Sequence, residues 1–398
     1  MSEIKDNKVP NVPPLRFSEF SDEWQERVLK NVCYFVKDGF HGSVKDSPNG
    51  IPLLSAKDIY DNKVNINSNS RTISESDYRS IFKKNIPQKG DVLITIVGTI
   101  GRTAVVKDDS IFAFQRSVGW LRPRLELITS SFLEKCIESQ NFQKKLIAKT
   151  NTSAQGGVYL DALGKININI PSLKEQVKIS KLLDSIDERI KTQKKIIEDL
   201  NATLSNQINT LIKIQQTDKK LLDYIYPFDE KNKSELINNV LSISNKQGFI
   251  KQSDQFEDRE VASLDKSSYK IVKKDVFAYN PARINVGSIA KYDANSIGII
   301  SPMYVCFVCN NNLLSDYLNY FYKTTYFKHE MHKRLEGSVR LCLTFNGMTN
   351  IPFICPSIEN QKQIIQKLNA LSQKISIERM SLELYRKFKN YLLSKLFI

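Results

Sequence analysis

The 398-residue chain has no run approaching the roughly 18 to 20 unbroken apolar residues that a membrane span needs. Its polar start, MSEIKDNKVP, lacks the apolar core of a secretory signal, so a cytoplasmic protein is expected. Cysteine is scarce: the six present show no clustered even spacing and read as reduced thiols, not a disulfide framework. Cys306 and Cys309 form a C-x-x-C, but inside the apolar run MYVCFVC strand alternation sends the two to opposite faces, and no glycine knuckle follows. His329 and His332 are separated by two residues instead of the three that put a zinc-binding pair on one helix face. No metal site is expected. Negative charge is also in short supply. With 58 Lys and Arg against 43 Asp and Glu, the formal charge is +15, which either faces a polyanion or is tolerated as self-repulsion. The chain is rich in Lys, Ile and Asn, so a general residue bias can supply part of that excess.

What is present begins with an ordinary folded composition, 41% hydrophobic and 25% charged, at a length that allows two or three domains. An internal repeat organises it. IPSLKEQVKISKLLDSIDERI starts at Ile170, and CPSIENQKQIIQKLNALSQKI starts 185 positions later at Cys355, aligning Pro171 with Pro356, Ser172 with Ser357 and Gln176 with Gln361. Proline, serine and then Glu175 or Asn360 mark a capped helix start. From there apolar residues step by four and three: Ile179, Leu183, Ile186, Ile190, Ile197, Leu200, Leu204 and Leu211, with Gln193 and Gln207 as polar steps. The second copy keeps the register at Ile364, Leu368, Leu371, Ile375, Leu382, Tyr385, Leu392 and Leu396, with Glu378 and Lys389 polar. This is a heptad seam, and the polar step shared by Gln193 and Glu378 is of the kind that fixes register.

The repeat extends upstream more faintly. Asn31-Val32 recurs as Asn239-Val240, residues 89–106 as 273–292, and GGVYL at 156–160 as GSVRL at 337–341. Short β-branched runs between Gly, Pro, Asn and Asp clusters predict many short strands in each globular unit, with helices near 131–148 and 314–334. The expected fold class is α+β, with two similar mixed α/β domains at opposite ends of an antiparallel two-helix coiled coil and a pseudo-twofold internal repeat. Helices of about 35 to 40 residues make a rod on the order of 50 to 60 Å. A twofold-related pair of readers so separated suits two half-sites on a duplex.

The stretches PPLRFSEFSDEW (13–24), KGDVLIT (89–95) and INIPSLKEQVKISKLLDSIDERI, with the second copy of the last, resemble a type I restriction-modification specificity subunit over nearly the whole chain. The resemblance implies two target recognition domains, 1–170 and 215–355, each reading half of a bipartite DNA target. It further implies conserved coiled-coil helices, 171–214 and 356–398, which measure the unread spacer and dock two methyltransferase subunits. A translocase-nuclease subunit joins for restriction. No cofactor is expected in this chain; S-adenosylmethionine belongs to the methyltransferase partners, and ATP and Mg to the restriction partner. The second unit lacks the full LRF-x-EF-x-x-EW start, and YPFDEKNKSELINNV (226–240) stands there instead.

Catalysis by the chain itself is not expected. An adenine methyltransferase needs a [DN]-P-P-[FY] motif, and the nearest approach, Asn280-Pro281-Ala282-Arg283, lacks the second proline and the aromatic. No G-x-x-x-x-G-K-[ST] loop occurs; residues 98–102 are too short to replace it. Asp229-Glu230-Lys231 resembles a nuclease fragment without its upstream acid and reads as a solvated linker. An alternative from another class is a coiled-coil scaffold joining two protein-binding domains.

Candidate DNA contacts follow from residue chemistry. Arg and Lys suit guanine, Asn and Gln suit adenine, and glycines let the backbone approach phosphates. The first unit offers Lys149, Thr152, Gln155, Gly156 and Gly157 in one loop, with Arg102 and Arg116 as further choices. The second offers Tyr279, Asn280, Arg283 and Asn285 in one loop, and Arg334, Ser338 and Arg340 at the position equivalent to the first unit's glycine-rich loop. For Tyr279, a core role competes with base stacking.

Overall fold

The computed structural model describes residues 11–83, 85–150, 156–212, 217–245, 247–255, 265–338 and 340–398. The chain forms two compact units, one of residues 1–193 with 381–398 and the other of 194–380.

The first unit is built on an antiparallel sheet ordered Cys33–Asp38, Val118–Pro123, Val92–Thr95, Thr103–Val105. Period-two alternation decides what each face does. Val92 and Ile94 join Leu121, Phe132, Leu183 and Leu392 in a core under the helices Ser130–Glu138 and Gln140–Ile147. Leu93 points the other way, into a cluster with Leu54, Phe114 and Trp120. The second unit repeats this order with Ile225–Pro227, Val305–Cys309, Phe277–Tyr279 and Ile289–Lys291, again all antiparallel. Phe277 and Tyr279 face one core and Ala278 the other. Cys306 lies in the second of these clusters and Cys309 packs against the first, the opposite orientation expected of neighbours three apart on a strand. A further sheet of the second unit orders Gly248–Lys251, Val240–Ser244, Gly298–Ile300, Lys270–Val272.

Two long helices, Leu173–Leu211 and Ile358–Lys395, carry the heptad stretches. In the first unit they run antiparallel: Asp187 meets Lys389 at 2.6 Å, and Arg189 Nε donates to the Tyr385 hydroxyl at 3.1 Å. Ile179, Leu183, Ile186 and Leu392 are buried in that unit's core, with Ile190 packed against it. In the second unit Ile208 and Leu368 share one core, and Leu204, Leu211 and Ile364 pack against it. Ile375 and Leu382 are buried, and Ile197, Leu200 and Leu371 are half-buried. Gln193 is buried on the seam as well.

The duplication is visible in individual hydrogen bonds. Gln176 donates from Nε2 to the carbonyls of Leu127 and Pro171 at 2.9 and 3.0 Å, and its Oε1 accepts from the Thr129 amide at 2.9 Å. Gln361 does the same with Asn312, Pro356 and Leu314, at 2.8 Å each. Ser139 caps its helix by accepting from the Phe142 amide, and Thr324 accepts from Phe327 in the same place. Where Lys135 pairs with Asp184 and Asp187 on the long helix, Tyr320 hydrogen-bonds Asn369 and Ser372.

This framework corrects three upstream alignments. Asn31-Val32 does not correspond to Asn239-Val240. The Val32 carbonyl accepts from Arg124, as that of Tyr224 accepts from Asn310, and Leu29 bonds to Ile166 as Leu221 does to Ile351. Val240 instead begins the strand Val240–Ser244, which pairs parallel with Gly298–Ile300 as Ile51–Leu54 pairs with Ala113–Phe114 in the first unit. Gly90 matches Asp275, one place from the sequence alignment; both have positive φ, +91° and +69°, and both amides bond to the strand that returns beside them. Finally, Val158 bonds to Ile96 as Leu343 bonds to Pro281, so VYL at 158–160 matches LTF at 343–345, not VRL at 339–341.

Candidate nucleic-acid interface

In the first unit, a cleft of about 520 Å³ opens where the central strand ends and the glycine-rich return begins. Val97 bridges to Gly157, and the Val158 amide donates to the Ile96 carbonyl at 2.9 Å. Opposite, Phe40 bonds to the Phe114 carbonyl, and the Arg116 amide donates to the Phe40 carbonyl at 3.1 Å. Gly39 permits this close approach, since a Cβ there would lie 2.1 Å from the Phe114 oxygen. Arg116 and Gly157 therefore line one cleft, together with Asp38, His41, Tyr159 and Asp161. His41 Nε2 and Asp38 are paired at 2.5 Å. Arg102 is exposed but lies outside the cleft, on a turn whose Gly101, at φ +88°, has its carbonyl held by Gln143 at 3.0 Å. Lys149 is exposed just past the helix Gln140–Ile147, and Gly156 is half-buried. Thr152 and Gln155 lie outside the described residues.

The second unit has a cleft of about 770 Å³ at the corresponding end of its central strand. It brings together Asn280, Arg283, Asn285 and Arg340, although Arg340 comes from a distant stretch of chain. Arg283 and Asn285 are exposed on a 3-10 turn, Ile284–Val286, ended by Gly287 at φ +94°. Arg340 and the exposed Ser338 sit on a loop closed by paired backbone bonds between Glu336 and Cys342, at 2.9 and 2.8 Å. Ser242, Gln252, Ser288, Ser301 and Tyr304 also line the cleft. Sequence reasoning missed these because they come from separate elements that share no motif: Ser242 on Val240–Ser244, Gln252 on Gln252–Gln255, Ser288 just before Ile289–Lys291, and Ser301 and Tyr304 between Gly298–Ile300 and Val305–Cys309.

Two assigned contacts are overturned by burial and pairing, and a third is narrowed. Tyr279 is 0% exposed, edge-on to Phe307, with its hydroxyl donating to the Leu343 carbonyl at 3.1 Å. No ring face is open for a base, and burial raises its pKa; it is a core residue. Arg334 donates to the Glu330 carboxylate at 2.6 Å and the Glu330 carbonyl at 2.9 Å, so its charge is taken up within its own helix end. Asn280 is buried to 9% exposure, and its Oδ1 accepts from the Ala282 amide at 3.0 Å, which assigns that oxygen to shaping the turn. The missed first-unit residues are His41 and Tyr159. Tyr159 lies two places after the singled-out Gly157, and its position was the available signal.

The two units thus share a fold in which a sheet and a helix pair display a polar cleft, and two heptad helices run through both. Residues 21–202 match the family model for the type I restriction modification DNA specificity domain. Among curated proteins, the type I restriction enzyme EcoBI specificity subunit of Escherichia coli is 26% identical over 194 residues, 48% of this chain and 40% of that protein. The chain thus spans less than half the length of this relative. A putative type I specificity subunit, MjaX, of Methanocaldococcus jannaschii is 23% identical across 98% of this chain and 96% of its own length. Among solved structures, the type I restriction-modification S subunit from M. genitalium superposes with a TM-score of 0.58 at 17% identity, covering 97% of this chain and 99% of that one. The chain is thus similar to type I restriction-modification specificity subunits in sequence and in fold, the family that its motifs resemble. Among the described residues no helix is long and apolar enough to cross a membrane.

Proposed function

We propose that the chain reads a bipartite DNA target for a type I restriction-modification complex, one half with each unit's cleft. The observation that carries this reading is the repetition of one scaffold with a polar, arginine-bearing cleft at the same place in each copy. The long helices set the unread spacer and dock two methyltransferase subunits, to which a restriction-translocation subunit is added. The chain itself is non-catalytic; S-adenosylmethionine acts in the methyltransferase partners, and ATP and Mg in the restriction partner. Cationic side chains and backbone amides hold phosphates, while the exposed Arg and Asn side chains select bases. The setting is the cytoplasm.

The test combines the purified chain with its cognate methyltransferase subunit and screens duplexes for methylation protection. One bipartite sequence should stand out, and its binding should weaken steeply with salt, as counterion release requires. Indifference to sequence and salt would favour a protein-joining scaffold.

A further inference from the structure

We propose that Tyr159 and Arg116 are the base-contacting pair of the first unit's reader. The inference rests on the reading of the chain as a DNA-sequence reader and adds which side chains give one half of the target its identity. Tyr159 is 69% exposed, and among the described residues its ring has no aromatic or hydrogen-bonding partner. Its backbone is nonetheless fixed. The preceding Val158 is bonded to Ile96, Gly157 bridges to Val97, and the Tyr159 carbonyl accepts from the Leu163 amide at 2.9 Å. A rigidly placed tyrosine offers large contact area at small ordering cost.

The comparison between the two units sharpens this. Tyr159 is the N-cap of the short helix Leu160–Gly164 and makes no side-chain cap bond. The residue at the same place in the second unit, Thr344, caps Phe345–Thr349 by accepting from the Gly347 amide at 3.0 Å. Serine, threonine, aspartate and asparagine are the side chains that stabilise such a position. The first unit forgoes that stabilisation and displays an aromatic ring to the cleft instead. Arg116 lines the same cleft, is exposed, and has no ion-pair partner among the described residues. Of the carboxylates nearby, Asp161 is paired with the Lys165 ammonium and Asp38 is hydrogen-bonded to His41, each at 2.5 Å. An arginine presents the fork that fits guanine O6 and N7, and an aromatic ring makes apolar contact with a neighbouring base.

The decisive substitution is Tyr159→Thr, which installs the capping side chain the second unit already uses. Adenine methylation is mapped by long-read sequencing in host cells carrying each variant, with the thermal stability of the purified chain measured alongside. Tyr159→Thr should keep or raise stability, lower methylation of the wild-type target on the order of tenfold, and relax base preference in one half only. Tyr159→Phe should preserve the target, and Arg116→Gln should relax the same half as Tyr159→Thr. Wild-type methylation by Tyr159→Thr with both halves intact would overturn the proposal, as would relaxation of the half that responds to Arg283→Ala. If the wild-type chain itself directs no bipartite methylation, the reader assignment falls and this pair with it; an intact wild-type target with an indifferent Tyr159→Thr removes the pair alone.

Discussion

Gln176 and Gln361 are fully buried, and each ties the start of a long helix to the loop ahead of a domain helix with three hydrogen bonds. Truncating either to alanine strands a buried amide and two carbonyls, so Gln176→Ala and Gln361→Ala should each cost about 2 to 3 kcal/mol in denaturant unfolding. The identity of these glutamines was legible as a repeated motif; their partners were not, because loop residues gave no periodic signal. A buried charge cluster in the first unit has no sequence signature either. Burial pushes the Glu134 carboxyl from the ordinary 4.5 up to about 7, against the pull of Lys135. Burial opposes the charge of Lys135 too, but Glu138, Glu134 and Asp187 outweigh it and raise its pKa. Asp187 is likewise opposed by burial yet held low by Lys135 and Lys389. A carboxyl with a raised folded pKa contributes stability that is present below its unfolded value and lost as pH rises through the folded one. Glu134→Gln should therefore remove a loss of stability between pH 4.5 and about 7, measured by denaturation across that range. The Asp187 contribution, lost only as pH falls below the ordinary carboxylate range, should remain.

At the level of elements, the long helices were the most legible part of the chain. Apolar residues stepping by four and three leave one stripe to bury, and the apolar residues on that stripe are buried, such as Leu183 and Leu368 at 0% exposure, or half-buried, such as Ile197 and Leu371. A lysine at Leu183 or Leu368 places an uncompensated charge in a packed core and should cost about 3 to 5 kcal/mol. Thr192→Lys, on the exposed face, should stay within about 0.5 kcal/mol in the same unfolding experiment. The strands repeat less faithfully in sequence. A two-residue match such as Asn31-Val32 with Asn239-Val240 carried no structural equivalence, because loops of different length shift the numbering while the hydrogen-bonded frame stays put. Short strands have only their period of two, and many residues satisfy it equally.

For the whole molecule, the proposal of two readers on one chain makes separable and joint losses distinguishable. Arg283→Ala should relax one half of the methylated target and spare the other, whereas Leu368→Lys should abolish methylation altogether; mapped methylation distinguishes the two outcomes. On that proposal the +15 charge supports affinity for any duplex and leaves its selection to a few exposed side chains. The sequence by itself determined the duplication, the two heptad helices and the family resemblance, because those rest on periodicity and motif spacing along the chain. Only the tertiary structure decided which polar residues face solvent. Tyr279 directly precedes Asn280 and Tyr159 lies two places after Gly157, so each is a tyrosine close to residues typical of turns. One closes over a core against Phe307 and the other stands uncapped at a helix start on the lip of a cleft, since exposure depends on what the rest of the chain packs against a residue, not on its neighbours in sequence.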